Sequence, residues 1–223
     1  MIPFRTVYAT GMMDTNHSRL AQQVEFIVEI DKLKQVLRRT YLIDTSRREN
    51  DAEHSWHLGL MAILLVEHAA SPQLDLLRVL KMVLVHDLVE IDAGDTFAYD
   101  EVGARDKAAR ETAAAARIFH LLPTDQAAEL RGLWDEFEAR QTPESRYAAA
   151  LDRFQPMLHN YRTQGKALRE HGITADQVLD RNQHMAEGAP ALWDYARRFV
   201  ADAVARGYLL PGVGSESSPG EES

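Results

Sequence analysis

A chain of 223 residues, 45% of them hydrophobic, has the material for a sizeable core in one large or two small domains. Its formal charge of −9, from 34 acidic against 25 basic residues, argues against a general nucleic-acid binder but leaves room for a small phosphorylated substrate. Cysteine is missing altogether, which excludes disulfides, thiol nucleophiles and zinc–thiolate centres.

Residues 1–17, opening on MIPFRTVYATGMM, have no periodicity and read as an N-terminal arm. They lack the charged start and long apolar run of a signal peptide. No later stretch approaches the roughly 18 uninterrupted apolar residues of a membrane span, so a soluble cytoplasmic protein is expected. From Ser18, the residues Leu20, Val24, Ile27, Val28, Ile30, Leu33 and Leu37 recur at helical spacing. TYLIDTSRREND, residues 40–51, breaks that pattern and reads as a loop with a positive cluster at Arg47 and Arg48. Asp51 is placed to cap the next helix, whose apolar content comes from Trp56, Leu60, Met61, Ile63, Leu64 and Leu65. A further helix is expected from about Leu74 to Glu90, followed by the loop DAGDTFAYD. Residues 103–121 form an alanine-rich helix, and LLPTDQ starts another to about Arg140. TPES begins a long helix through Arg169, and GITADQ begins the last, to about Arg206. Residues 208–223, rich in Gly, Ser and Glu, read as a disordered tail. No segment alternates like a strand, and no glycine-rich phosphate loop or internal repeat occurs. The reading is one all-α domain over residues 18–207, a bundle of about seven helices.

The chemistry concentrates in LVHDLVEIDAGD, residues 84–95, where an apolar run ends in His86, Asp87, Glu90, Asp92 and Asp95. On a helix, His86 and Glu90 are neighbours at i and i+4, and Asp87 and Glu90 at i and i+3. Carboxylates at a helix C-terminus are opposed by the macrodipole, so this crowding is either an acidic helix end lying in water or a set of groups held around a cation. Two more candidates lie on other helices. His54 sits in DAEHSWH, and Asp152 sits in AAALDRF, among Ala149, Ala150, Leu151 and Phe154. A buried carboxylate is costly unless paired or bound to metal.

A histidine, then a His-Asp pair, then a distant aspartate is the order found in the HD superfamily of metal-dependent phosphohydrolases, which this chain resembles. RRENDAEH, VHDLVEIDAGD and ALDRF carry the resemblance. The spacing HDxxExxxxD looks like the subgroup of 5′-deoxynucleotidases. The resemblance implies His54, His86, Asp87 and Asp152 as ligands of a divalent ion, with manganese, cobalt, iron, nickel, zinc and magnesium all open. It implies that Glu90 orients or deprotonates the attacking water. Asp95 would position the sugar or hold a second ion. Arg38 would bind phosphate, with Arg39 and Arg48 as alternatives. Tyr41 stands where many relatives carry a sugar-reading tryptophan. The implied activity is hydrolysis of (deoxy)nucleoside 5′-monophosphates to nucleoside and phosphate by a homodimer whose partner is a small phosphorylated molecule, not a nucleic acid or a membrane. Rival readings are a non-catalytic nucleotide-binding or regulatory HD protein, a di-iron oxygenase, and an HD-GYP phosphodiesterase. The oxygenase would need more histidines between Asp87 and Asp152, and the phosphodiesterase would need a lysine where Glu90 stands.

Overall fold

The computed structural model describes residues 15–212, and the ends of the chain, including most of the expected arm and tail, lie outside the described residues. Helix α1 spans Thr15–Ile30, starting three residues ahead of Ser18, and passes into a 3-10 turn at Asp31–Gln35. The first departure from the all-helical expectation follows. Residues Leu37–Tyr41 (β1) and Arg48–Asn50 (β2) pair as an antiparallel hairpin with an irregular register. Its strands are short and lack the two-residue alternation that marks a half-buried strand. The pairing itself, with Leu42 N–H donating to the Arg47 carbonyl at 3.0 Å, makes the strands.

Helix α2 spans Asp51–Leu64. Its cap is Asn50, whose side chain accepts from the Glu53 N–H while the Glu53 carboxylate accepts from the Asn50 N–H, a reciprocal capping box. Asp51, expected as the cap, is thereby the first helical residue, with its side chain fully buried. Helix α3 spans Leu76–Val85 and is capped by Asp75. At His86–Val89 the chain tightens into a 3-10 turn before the short α4, Glu90–Ala93. A tightened turn inside a helix is a frequent mark of a functional position.

Helices α5 (Lys107–Phe119) and α6 (Thr124–Ala139) follow the expected pattern. The long helix expected through Arg169 is instead α7, Pro143–Arg162, and α8, Lys166–Glu170. The break is at Gly165, whose φ of +70° suits glycine, and a Cβ there would meet the Tyr208 carbonyl at 1.9 Å. The last expected helix is likewise divided into α9 (Ala175–Asn182), α10 (Met185–Gly188) and α11 (Pro190–Ala205). Pro190 starts α11 because its missing N–H is no loss at a first helical position, and it keeps Ala189 (φ −153°, ψ 79°) out of helical backbone.

Helix α7 is the axis of the molecule. Tyr147, Ala148, Ala149, Ala150 and Leu151 are all buried and meet Leu58 of α2, Met82 and Val83 of α3, and Leu192 and Ala196 of α11. The Tyr147 hydroxyl donates to the Ala62 carbonyl at 3.2 Å, which satisfies the polar tip of a fully buried ring. A second core lies under α1 and α5, where Phe26, Leu33, Val89, Ala115, Ile118 and Trp134 pack together. The two cores meet along α3, so the 3-10 turn after α3 is held from both sides.

Candidate active site

Three elements bring the site together: the first turn of α2, the turn after α3, and the middle of α7. His54 and Asp152 face each other, with His54 Nε2 at 3.1 Å from Asp152 Oδ1. His86 Nε2 lies 3.0 Å from Asp87 Oδ1 and 3.7 Å from Asp152 Oδ1, and His54 Nε2 lies 3.9 Å from Asp87 Oδ2. His54 is fully buried, and the other three are at most 7% exposed. All four predicted ligands therefore converge on one point.

The chemistry of these donors fits a divalent ion. His86 Nδ1–H donates to the Val83 carbonyl at 3.0 Å, which leaves Nε2 of the neutral ring as a lone pair pointing at the carboxylates. That Nε2 is buried and has no hydrogen-bond partner. Two imidazole nitrogens and two carboxylate oxygens at ligand–ligand spacing suit a divalent transition metal better than they suit one another.

The electrostatics carry the same message. Burial alone would lower the His86 pKa, but Asp87 and Asp152 outweigh it and push the ring up to about 10. Burial would raise Asp87 and Asp152. For Asp87, His86 and Arg38 overcome it, and for Asp152, Arg153, His54 and His86 do, so both carboxyls fall below the usual range. The site draws positive charge, and a proton on His86 competes for the position an ion would take.

Glu90 and Asp95, the expected catalytic acids, join this cluster from the next turn. A 3-10 turn eclipses residues three apart, so Glu90 lies beside Asp87 rather than under His86. One carboxylate oxygen each from Asp51, Asp87 and Glu90 falls within 4.8 Å of the others. Burial and then Asp87 and Asp51 hold the Glu90 carboxyl well above its ordinary value, and burial also raises Asp95. Asp95 is aimed inward by Gly94, whose φ of +73° and ψ of 149° end α4. The loop beyond is braced by Arg110, which donates to the Ala93 carbonyl, to Thr96 Oγ1 at 3.2 Å and to the Gly103 carbonyl at 3.0 Å. Asp92 turns to solvent and pairs with Arg117.

Arg38 enters from β1, with its side chain 12% exposed. Its Nη1 donates to Asp87 Oδ2 at 2.8 Å and to Asp51 Oδ1 at 3.2 Å. Arg38, Arg39, Lys107, Asp95 and Phe97 line a pocket that also exposes His86, Asp87 and Asp152, with His54 buried behind them. Tyr41 and Arg48 lie apart from that lining. The Arg48 guanidinium sits 5.8 Å from the Tyr41 ring centroid, and the Tyr41 hydroxyl donates to Glu170 at 3.1 Å.

Sequence reasoning missed four residues here. Asp51 and Glu49 are buried beside Arg38, and Gln155 and His159 lie buried behind His54. A signal for three of them was present, Glu49 of β2 being the exception. Asp51 precedes His54 by three residues, and Gln155 and His159 follow Asp152 by three and seven, so each shares a helix face with a ligand.

Comparisons with known proteins identify the family. The model of the HD domain family matches residues 30–193. The human 5′-deoxynucleotidase HDDC2 is 29% identical over 136 residues, which take in 60% of this chain and 65% of that protein, so the chain spans less than two thirds of that relative's length. The Schizosaccharomyces pombe 5′-deoxynucleotidase hdd1 is 26% identical over 156 residues, 68% of this chain and 77% of the relative. A crystal structure of a predicted metal-dependent phosphohydrolase from Magnetospirillum magnetotacticum MS-1 is 54% identical, covers 90% of this chain and 100% of its own, and superposes with a TM-score of 0.86.

Proposed function

The chain belongs to the HD domain family, and from that premise we propose that it is a metal-dependent phosphomonoesterase that cleaves nucleoside 5′-monophosphates, deoxynucleotides among them, to nucleoside and inorganic phosphate. One observation carries the reading: His86, Asp87 and Asp152, backed by the buried His54, meet at a pocket whose wall supplies Arg38, Arg39 and Lys107. The named activities of the human, fission-yeast and bacterial relatives support the same class.

His54, His86, Asp87 and Asp152 would hold a divalent ion, which supplies a Lewis acid for a phosphoryl oxygen and lowers the pKa of bound water. The remaining work falls to the chain's own side chains. Arg38 sits within reach of the ion's carboxylates, and its planar fork suits two non-bridging phosphate oxygens. Glu90, buried among acids that raise its proton affinity, takes a proton from the attacking water. As the water oxygen bonds to phosphorus, the bond to the 5′-oxygen breaks, and that oxygen leaves as the nucleoside hydroxyl after gaining the proton that Glu90 took from the water. Asp95 accepts from a sugar hydroxyl at the pocket edge, and the ring of Phe97 offers an apolar wall to the base.

The reading includes a homodimer in the cytoplasm. Leu20, Val24, Ile27 and Val28 form an exposed apolar stripe on α1, and Trp56, Leu60, Ile63 and Leu64 form another on α2. Both follow the i, i+4, i+7, i+8 spacing of a buried helix face, and exposed apolar surface of this kind marks an interaction site. No helix among the described residues is long and apolar enough to cross a membrane.

The test is phosphate release from a panel of nucleoside monophosphates by protein loaded with manganese or cobalt. Activity should depend on the metal, and His86→Ala or Asp87→Ala should lower it by at least about a thousandfold, the scale expected when a catalytic ion is lost. Turnover that survives either change would sink the reading. Tight nucleotide binding without hydrolysis under any metal would favour a regulatory protein.

A further inference from the structure

Behind His54, on the side away from the pocket, lies a second polar cluster made of Glu49, His57, Gln155 and His159. Glu49, Gln155 and His159 are each at most 3% exposed. Glu49, His57 and His159 offer ligand-type atoms within 4.8 Å of one another, the spacing of a small metal site. The centre of that triangle is filled, however. Gln155 Nε2 lies 2.5 Å from Glu49 Oε1, 3.2 Å from His159 Nε2 and 3.4 Å from His57 Nδ1. The two hydrogens of that amide reach Glu49 and His159, the nearer two of the three, and those acceptors in turn dictate how the amide is turned.

The logic follows from which groups can only accept. An ionised Glu49 has no proton to give, so the amide face turned to it must be the NH2. His159 Nδ1–H donates to the Tyr41 carbonyl at 3.2 Å, so Nε2 of the neutral ring is also an acceptor. Burial lowers the His159 pKa and so favours that neutral ring. With its NH2 held on that side, Gln155 presents Oε1 to His54 Nδ1 at 3.2 Å. A carbonyl oxygen there requires that His54 carry its proton on Nδ1. Its Nε2 is then the lone pair that faces Asp152, Asp87 and the ion position. For His86 the backbone carbonyl of Val83 does the same task.

We infer that Gln155, held by Glu49 and His159, is a positioning residue that fixes the tautomer and ring orientation of the metal ligand His54. The assignment rests on the metal-centre reading above and deepens it. It places a ligand, Asp152, and the prop of another ligand three residues apart on one face of α7. Outer partners of ligating histidines typically change metal affinity by about ten- to a hundredfold when removed.

The experiment is a calorimetric titration of metal-free protein with Mn2+ alone, beside phosphate release at low and saturating Mn2+. Gln155→Leu should weaken Mn2+ binding by about ten- to a hundredfold, with kcat recovering at saturating metal. A merely structural loss would not be rescued by metal. The exchange Glu49→Gln with Gln155→Glu keeps an acceptor on His54 Nδ1 and a donor facing it, and should restore most of the lost affinity. Unchanged Mn2+ affinity in Gln155→Leu, or an exchanged pair that binds no more tightly than Gln155→Leu, overturns the assignment. If wild-type protein binds Mn2+ but releases no phosphate, the hydrolase reading fails, while the binding comparison still decides the role of Gln155.

Discussion

In the metal-free protein Asp51 keeps its proton up to about pH 7, because burial and then the charge of Asp87 oppose its ionisation. An aspartate in the unfolded chain releases its proton near pH 4. Between those values the folded state binds more protons than the unfolded state, so stability falls as pH rises from about 4 to about 7. Glu90 and Asp95 are raised too and act with the same sign. His86, raised to about 10, adds stability that is lost as pH rises from about 6.5 to about 10. Urea midpoints measured in chelator should therefore decline from the acid side toward neutrality and beyond, and Asp51→Asn should flatten the segment below pH 7. Equal slopes in the variant and the wild type would show that Asp51 does not carry this charge strain. Adding a divalent ion should restore stability at neutral pH, because it binds the folded state alone. At this scale the four candidate ligands were legible because each is an unusual residue in an apolar run. Asp51 was not, because a residue before the first turn of a helix reads as a cap until Asn50 is seen to take that role.

The element that matters most is the short one between α3 and the loop. A regular helix through Glu90 would stack His86 on Glu90. The 3-10 turn at His86–Val89 instead sets Glu90 beside Asp87 and leaves Nδ1 of His86 on the Val83 carbonyl. Gly94 then ends α4 in a backbone region that only glycine enters freely. A Cβ at Gly94 would meet nothing within 4 Å, so the cost of Gly94→Ala is conformational rather than steric. That variant should lose about 1–3 kcal/mol in denaturant unfolding and lower kcat/KM by displacing Asp95. Full stability with full activity would show that the turn is dispensable. Helix existence was legible from apolar spacing, but the breaks at Gly165 and Ala189 were not. They arise where Tyr208 and α7 press close, and periodicity carries no record of such neighbours. The hairpin escaped for the same reason, since its strands are defined by each other.

At the scale of the whole molecule, the stripes on α1 and α2 leave apolar area exposed among the described residues. Light scattering should report a two-chain mass for the wild type. Ile27→Glu combined with Val28→Glu, or Trp56→Glu combined with Leu60→Glu, should shift it to one chain, and a wild type that is already one chain would rule the dimer out. Activity at equal metal loading would then tell whether the second copy is needed for turnover.

The amino-acid order alone determined the helical class and the HD pattern, and it pointed to four candidate ligands, because helical spacing and the cost of burying charge are local properties of a sequence. Tertiary structure decided what stands behind and beside those ligands. Asp51 and Arg38 meet Asp87 across more than 30 residues of chain, and Gln155 reaches His54 across 101. Such partners are chosen by packing of α2, α3 and α7 around one core, where a buried polar group must find its complement in space rather than in sequence.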